Sequence, residues 1–214
     1  MNKLKVMLVD DHVVVRMGFR LLLEACKDIE VVAEADSGEA ACEACGVAMP
    51  DVIVMDLAMA GIGGVEAIKR LTAKHSQVHI LALSAHEDIS HPVRALQAGA
   101  LGYLSKRSAP EALIDAIRAT AKGQRYVDSQ IAQRIAMQSI SGDSNPVSQL
   151  SAREFEVFEQ LARGKSVAQI SETLKLSPST VGTHLYNIKQ KLGLNNQAEM
   201  TLLAVRHGLI SVIE

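Results

Sequence analysis

Five side chains far apart in the chain have the chemistry of a phosphoryl-handling site, provided the fold brings them together: Asp10, Asp11, Asp56, Ser84 and Lys106. Three carboxylates at one point repel one another and favour a hard divalent cation with oxygen ligands. Mg2+ would relieve that repulsion and leave coordination positions open for a phosphate. A lysine ammonium offers a point charge to a phosphoryl oxygen, and a serine hydroxyl offers a hydrogen bond. A carboxylate can also be the nucleophile and become an aspartyl phosphate. Catalysis then needs mainly in-line positioning and charge neutralisation. Taken singly, Asp10, Asp11 and Asp56 are better read as strand-end turn residues and Lys106 as a solvated charge; it is the set at consecutive strand ends that points to a site.

The elements that must position them are legible up to residue 122. Short apolar runs at Lys5–Val9, Ile29–Ala35, Asp51–Met55, His79–Ser84 and Gly102–Leu104 alternate with amphipathic stretches at 13–25, 38–49, 64–74, 90–98 and 110–122. Strands too apolar to face water, each followed by a helix, indicate an α/β fold: a doubly wound, five-stranded parallel sheet covered on both faces. Ligands of such sheets bind at the carboxyl ends of the strands. All five residues fall there: Asp10 and Asp11 after the first strand, Asp56 after the third, Ser84 ending the fourth and Lys106 after the fifth. Ser108 with Glu111 reads as a capping box opening the fifth helix.

Residues 128–138 offer one more helix, and the aperiodic run 139–148 reads as a linker. Beyond it the periods are helical only, with helices expected at 151–163, 166–174, 178–192 and 196–207, a small all-α four-helix domain. Ser151/Glu154 and Ser166/Gln169 have capping-box spacing, Ser177-Pro178 offers an N-cap with proline behind it, and Gly164 and Gly193 stand at helix ends. Val181, Leu185, Ile188 and Leu192 form one apolar stripe. The opposite face presents Ser179, Gly182, Thr183, Tyr186, Lys189 and Gln190, the build of a recognition helix in a major groove.

The chain of 214 residues is 48% hydrophobic and 21% charged, which excludes a mainly disordered protein. Net charge is −3 over residues 1–122 and +1 over 151–214, so the electrostatic footprint for nucleic acid is slight. Three cysteines make no disulfide framework and read as reduced, and the start has too short an apolar run for a signal peptide. No stretch approaches a membrane span, and a cytoplasmic location is expected. Cys42 and Cys45, three apart inside a helix, read as small helix residues and not as a redox pair. His75 and His79 straddle a helix end and a strand start, and read as surface residues.

The motifs Leu8-Val9-Asp10-Asp11-His12, Pro50 to Asp56, Leu83-Ser84-Ala85, Ala98 to Tyr103 and Leu104-Ser105-Lys106 resemble a bacterial response-regulator receiver. The C-terminal part resembles a LuxR-type helix-turn-helix, and the whole is similar to the NarL/FixJ family of two-component response regulators. Gly61-Ile62-Gly63-Gly64, Gly123-Gln124-Arg125-Tyr126 and Leu202 to Gly208 look most like its GacA/UvrY/SirA subgroup. The resemblance implies a flavodoxin-like strand order 2-1-3-4-5, a receiver over 1–122, a linker with one helix over 123–148 and a DNA-binding domain over 149–214. It implies that Asp56 accepts phosphate from a sensor histidine kinase. Asp11, Asp56 and the carbonyl of Ala58 would hold Mg2+, with Asp10 assisting through water, and Ser84 and Tyr103 would form the switch pair. An ordinary strand aromatic is the structural alternative for Tyr103. Beyond its own phosphorylation and dephosphorylation no enzymatic activity is expected, and a homodimer on double-stranded DNA is expected once Asp56 is loaded.

Departures from the family pattern carry expectations of their own. Ala60 and Gly63 replace residues often Pro and Asp, which touches loop rigidity and phosphate lifetime. His86, two residues past Ser84, is placed to influence the water that removes the phosphate. Gly182 stands where a lysine commonly reaches DNA, and Asn195, Asn196 and Gln197 where an arginine is common. DNA contact then rests on Lys165, Ser179, Thr180, Thr183, His184, Lys189 and Lys191. Met200, Leu203, Val205 and Ile210 offer an apolar surface for dimerisation, or for contact with the third helix of the domain. Two rivals stand against this reading. One is a receiver with a protein-interaction output that scarcely binds DNA; the other is a phosphatase with an aspartyl intermediate, which lacks any cap insertion.

Overall fold

The computed structural model describes residues 3–85, 89–141 and 146–210, with the side chains of 138–141 left aside. His86 and residues 142–145 of the expected linker lie outside the described residues. The chain parts into two compact units, the first running to Arg134 and the second beginning at Ile135.

In the first unit the order is β1 (Leu4–Val9), α1 (Val13–Glu24), β2 (Ile29–Ala35), α2 (Gly38–Ala48), β3 (Val52–Asp56), α3 (Gly63–Lys74), β4 (His79–Ser84), α4 (Ser90–Gln97), β5 (Gly102–Ser105), α5 (Pro110–Ala121) and β6 (Tyr126–Val127), with α6 (Ser129–Ser141) crossing the division. All pairings are parallel and the order is β2-β1-β3-β4-β5-β6. The expected sheet of five strands therefore gains a sixth at its edge, where Gly102 pairs with Tyr126 and Tyr103 with Val127. A two-residue strand is too short to show any period, so nothing in the sequence pattern marks it.

Successive strand residues point to opposite faces, and both faces are apolar. Met7, Val9, Ile53, Met55 and Tyr103 face one side, where α2, α3 and α4 contribute Cys45, Ile68 and Ala95. Val6, Leu8, Val52, Val54, Leu83 and Leu104 face the other, covered by Leu23 of α1 and Leu113 and Ile117 of α5. The chain reverses its winding between β1 and β3, which opens a crevice at their carboxyl ends. The fifth helix starts one residue later than its expected capping box: Ala109 is the N-cap, without a side-chain bond, and Pro110 is the first helical residue. A residue before proline is kept out of the helical region, so Ser108 cannot cap a helix running through Ala109.

The second unit contains α7 (Ala152–Ala162), α8 (Val167–Leu174), α9 (Pro178–Leu192) and α10 (Gln197–Arg206), preceded by a 3-10 turn at Pro146–Gln149. Both capping boxes form, Ser177 caps α9, and Gly164 and Gly193 take left-handed conformations after α7 and α9. Val181 and Ile188 are fully buried and Leu185 and Leu192 pack against the same core. The expectation for α10 needs correcting. Met200 is buried in that core, and the helix is tied to α7 through Gln197 to the Leu161 carbonyl and Thr201 to the Ala162 carbonyl, both at 2.8 Å. Leu202 is the apolar side chain that α10 exposes.

Candidate functional site

The crevice between β1 and β3 collects the carboxylates. Asp10 and Asp11 leave β1, Asp56 ends β3, Ser84 ends β4 and Lys106 follows β5, whose exit is set by the bond from Lys106 N–H to the Ser84 carbonyl. Asp10 and Asp56 are 2% and 1% exposed, burial that is costly for charges without partners. Lys106 supplies the partner: its Nζ lies 2.6 Å from Asp10 Oδ2 and 2.8 Å from Asp56 Oδ2. Backbone N–H groups complete the arrangement, His12 donating to Asp10 Oδ1 at 2.8 Å and Ala58 to Asp56 Oδ1 at 3.2 Å.

Burial is the main influence on Asp56 and pushes its carboxyl above the ordinary range; the charge of Asp10 adds to this and Lys106 opposes it. Burial alone would lower Lys106, but Asp56 and Asp10 outweigh it and hold the ammonium above its usual range. Two oxygens of the site, Asp11 Oδ1 and Asp56 Oδ2, accept no directional hydrogen bond although both are shielded from solvent. The contact of Asp56 Oδ2 with Lys106 is thus an ion pair and leaves lone pairs unused. Ligand atoms of Asp10, Asp11, His12 and Asp56 all lie within 4.8 Å of one another. Unused lone pairs on hard oxygens in one cluster are the donor set that Mg2+ takes, so these residues fit the ion.

Ser84 and Tyr103 are both fully buried, with the Tyr103 ring in the core shared with α2, α3 and α4. The ring therefore lies inward, within that core. Gly64 is a part of the site that the expected residues omit. A Cβ there would lie 2.1 Å from the Asp56 carbonyl oxygen, so only glycine lets the start of α3 rest on the backbone of Asp56. The Gly63-Gly64 pair was its signal, a close approach being one use of glycine. The loop with Ala60 and Gly63 is anchored from α2, where Glu39 accepts the Ile62 N–H at 2.9 Å.

In the second unit α9 turns Ser179, Gly182, Thr183, Tyr186 and Gln190 outward, with Tyr186 64% exposed. A Cβ at Gly182 would meet nothing within 4 Å, so no steric reason requires glycine there. At the N-terminus of α9 the Ser177 hydroxyl bonds those of Ser179 and Thr180. Thr183 Oγ1 donates to the Ser179 carbonyl, and Lys165 is half-buried. Two lysines are engaged within the unit: Lys189 Nζ donates to the Asn195 carbonyl at 2.8 Å and Lys191 Nζ to Glu154 Oε2 at 2.6 Å. His184 is half-buried, and burial holds its imidazole below the usual range, the Glu154 charge acting against this. Of the expected contacts, Ser179 and Thr183 thus lie on the open face, whereas Lys191 and His184 turn toward the α7 side.

The two cysteines lie within a helix as their spacing indicates: Cys45 is buried and Cys42 half-buried on α2, burial raising both thiols. The expectation of surface histidines needs correcting: His75, which ends α3, and His79, which begins β4, are both half-buried, and His75 Nε2 is shielded from solvent.

Comparison with known proteins matches residues 6–118 to the response regulator receiver domain and residues 148–204 to the bacterial regulatory proteins of the luxR family. The response regulator UvrY of Escherichia coli K12 is 43% identical over 208 residues, covering 96% of this chain and 95% of that protein. The response regulator GacA of Pseudomonas syringae pv. syringae is 40% identical over 209 residues, covering 97% and 98%. Among solved structures, RcsB from Salmonella enterica serovar Typhimurium, bound to a promoter in the presence of phosphomimetic BeF3-, superposes with a TM-score of 0.66 at 25% identity, covering 94% of this chain and 98% of that one.

Proposed function

The chain belongs to the two-component response regulators that join a receiver to a LuxR-type DNA-binding domain, in the subgroup of UvrY and GacA, and on that premise we propose that phosphorylation of Asp56 switches its binding to DNA. The observation that carries this reading is the meeting of Asp10, Asp11, Asp56 and Lys106 at the β1/β3 crevice.

A carboxylate oxygen of Asp56 attacks the phosphorus of a phosphohistidine on a sensor kinase. The new P–O bond forms as the P–N bond breaks, and the departing imidazole keeps the electron pair and takes up a proton. Asp11, Asp56 and the Ala58 carbonyl would hold Mg2+, with Asp10 assisting through water, and the ion would supply charge neutralisation at the transferred group. Lys106 pairs with a phosphoryl oxygen, and the Ala58 N–H is a second donor beside Asp56. Ser84 and Tyr103 then report the phosphate to the outer face of β4 and β5. The phosphate shifts the equilibrium only by as much as it prefers the active arrangement.

The receiver spans 1–122 and the linker 123–148; the DNA-binding domain, 149–214, docks as a homodimer on double-stranded DNA when Asp56 is loaded. Ser179, Thr180, Thr183, Lys165 and Lys189 face the duplex, joined by Tyr186. The protein acts in the cytoplasm and turns over only its own phosphoryl group; among the described residues no helix is long and apolar enough to cross a membrane.

One observation favours the protein-interaction output: Gly182 is bare, and Lys189 and Lys191 are engaged within the domain. Selection from a random duplex pool at several salt concentrations, with and without Mg2+ and a phosphodonor, separates the two. Donor-dependent enrichment of a paired half-site, lost in Asp56→Asn, is the expected outcome. A flat titration with Asp56 demonstrably phosphorylated would favour the rival.

A further inference from the structure

We infer that α9 selects A·T base pairs in the major groove through the thymine methyl group, with Thr183 as the residue that discriminates. The inference rests on the reading of α9 as the helix that enters DNA.

Ser179, Gly182, Thr183, Tyr186 and Gln190 fall on one stripe of α9, and all of them are exposed. None carries a charge at neutral pH. The lysines beside the stripe are engaged within the domain, Lys189 with the Asn195 carbonyl and Lys191 with Glu154. Guanine is read most often by a bidentate arginine or lysine on its O6 and N7, and the stripe has no such group. Two pairings remain to it, an amide on adenine and an apolar contact with the thymine methyl, and both belong to A·T pairs.

Thr183 is the member whose conformation commits it. Its Oγ1 donates to the Ser179 carbonyl at 3.1 Å, so the hydroxyl proton is spent within the helix and the methyl is left for a partner. Gly182, next to it, supplies the room. A Cβ there would meet nothing within 4 Å, so the fold itself does not call for a residue that weakens helices. Glycine does let a backbone come close to a ligand, and here it lets α9 seat the Thr183 methyl against a base edge. Gly182 and Thr183 lie in the first half of the helix, the part of a recognition helix that touches bases. The Tyr186 ring, 64% exposed, extends the apolar surface by one turn.

The test takes the sequence enriched from the random duplex pool and makes it twice, once with thymine and once with uracil throughout. Uracil pairs as thymine does and lacks only the methyl. Both duplexes are titrated with the full chain, treated with a phosphodonor, as wild type, Thr183→Ser and Thr183→Val. Wild type should bind the uracil duplex about fourfold or more weakly, the worth of one buried methyl. Thr183→Ser keeps the hydroxyl and lacks the methyl, and should bind the two duplexes within about twofold of each other. Thr183→Val keeps a methyl and should retain the wild-type preference. No uracil penalty in wild type, an equal penalty in Thr183→Ser, loss of the preference in Thr183→Val, or an enriched half-site without A·T pairs would overturn the role of Thr183 and leave DNA binding standing. If wild type enriches no sequence with Asp56 demonstrably phosphorylated, the DNA reading fails and the inference fails with it.

Discussion

Asp56 in the receiver and Glu154 in the DNA-binding domain are almost equally buried, at 1% and 5% exposure, and each faces one lysine. Their surroundings nonetheless drive them in opposite directions. Burial raises Glu154 too, but Lys191, the Ser151 N–H and the Ser151 hydroxyl outweigh it and hold the carboxyl below its ordinary range. Its Oε2 is spent, accepting from both Lys191 and Ser151 N–H, at 2.6 and 2.8 Å, within a capping box that starts α7. Asp56 shares its lysine with Asp10, keeps an oxygen without a hydrogen bond, and is raised. A satisfied buried carboxylate stabilises its domain; one left partly unsatisfied has lone pairs to give to a cation or a phosphorus atom. That difference separates a structural ion pair from a reactive site more cleanly than burial does.

Removing the geometry under Asp56 has the largest expected effect. In Gly64→Ala the added methyl would meet the Asp56 carbonyl at 2.1 Å, so something must shift. A loss of about 3 kcal/mol in receiver stability is expected by urea unfolding, with phosphorylation impaired beyond that loss. Unchanged stability would mean that the Asp56 backbone is not held as described.

Next come the two carboxylates themselves. Glu154→Gln keeps the shape but loses the charge-assisted bond to Lys191, at an expected cost of about 1–2 kcal/mol to the DNA-binding domain at neutral pH. Asp56→Asn removes a desolvated charge and is expected to stabilise the receiver. pH sharpens the contrast. A raised native carboxyl contributes stability below the unfolded pKa and loses it as pH rises through the native one. The depressed Glu154 does the reverse and loses its contribution as pH falls. Both differences from wild type should therefore shrink on acidification below the ordinary carboxylate pKa of ~4, from opposite signs. Two differences of the same sign at neutral pH would break the comparison.

The smallest effect is expected at Gly182. With nothing within 4 Å of a Cβ, Gly182→Lys is accommodated and should gain about 0.5–1 kcal/mol of helix stability. One more cation facing phosphate should steepen the dependence of DNA binding on salt by about one unit of slope. An unchanged slope would place that face away from DNA.

The parallel sheet, the crevice residues and the helix-turn-helix were legible because each rests on periodicity or on motif spacing. Strand ends alone bring Asp10, Asp56 and Lys106 together, once a parallel sheet is assumed. What the pattern hides is set by contacts across space. The edge strand at Tyr126 has no period, and the lack of room for a methyl at Gly64 is visible only beside the Asp56 carbonyl. Lys191 is expected at the DNA contact, yet it reaches across to Glu154, far off in sequence. Met200 likewise fitted an amphipathic surface until its neighbours on α7 were known.

The most direct measurement of the central claim is intact mass after incubation with Mg2+ and a small acyl phosphate, for wild type and Asp56→Asn together. The account expects one phosphoryl adduct on wild type, dependent on the divalent cation and absent from the variant. An adduct that persists in Asp56→Asn, or none on wild type with the cation present, would contradict it.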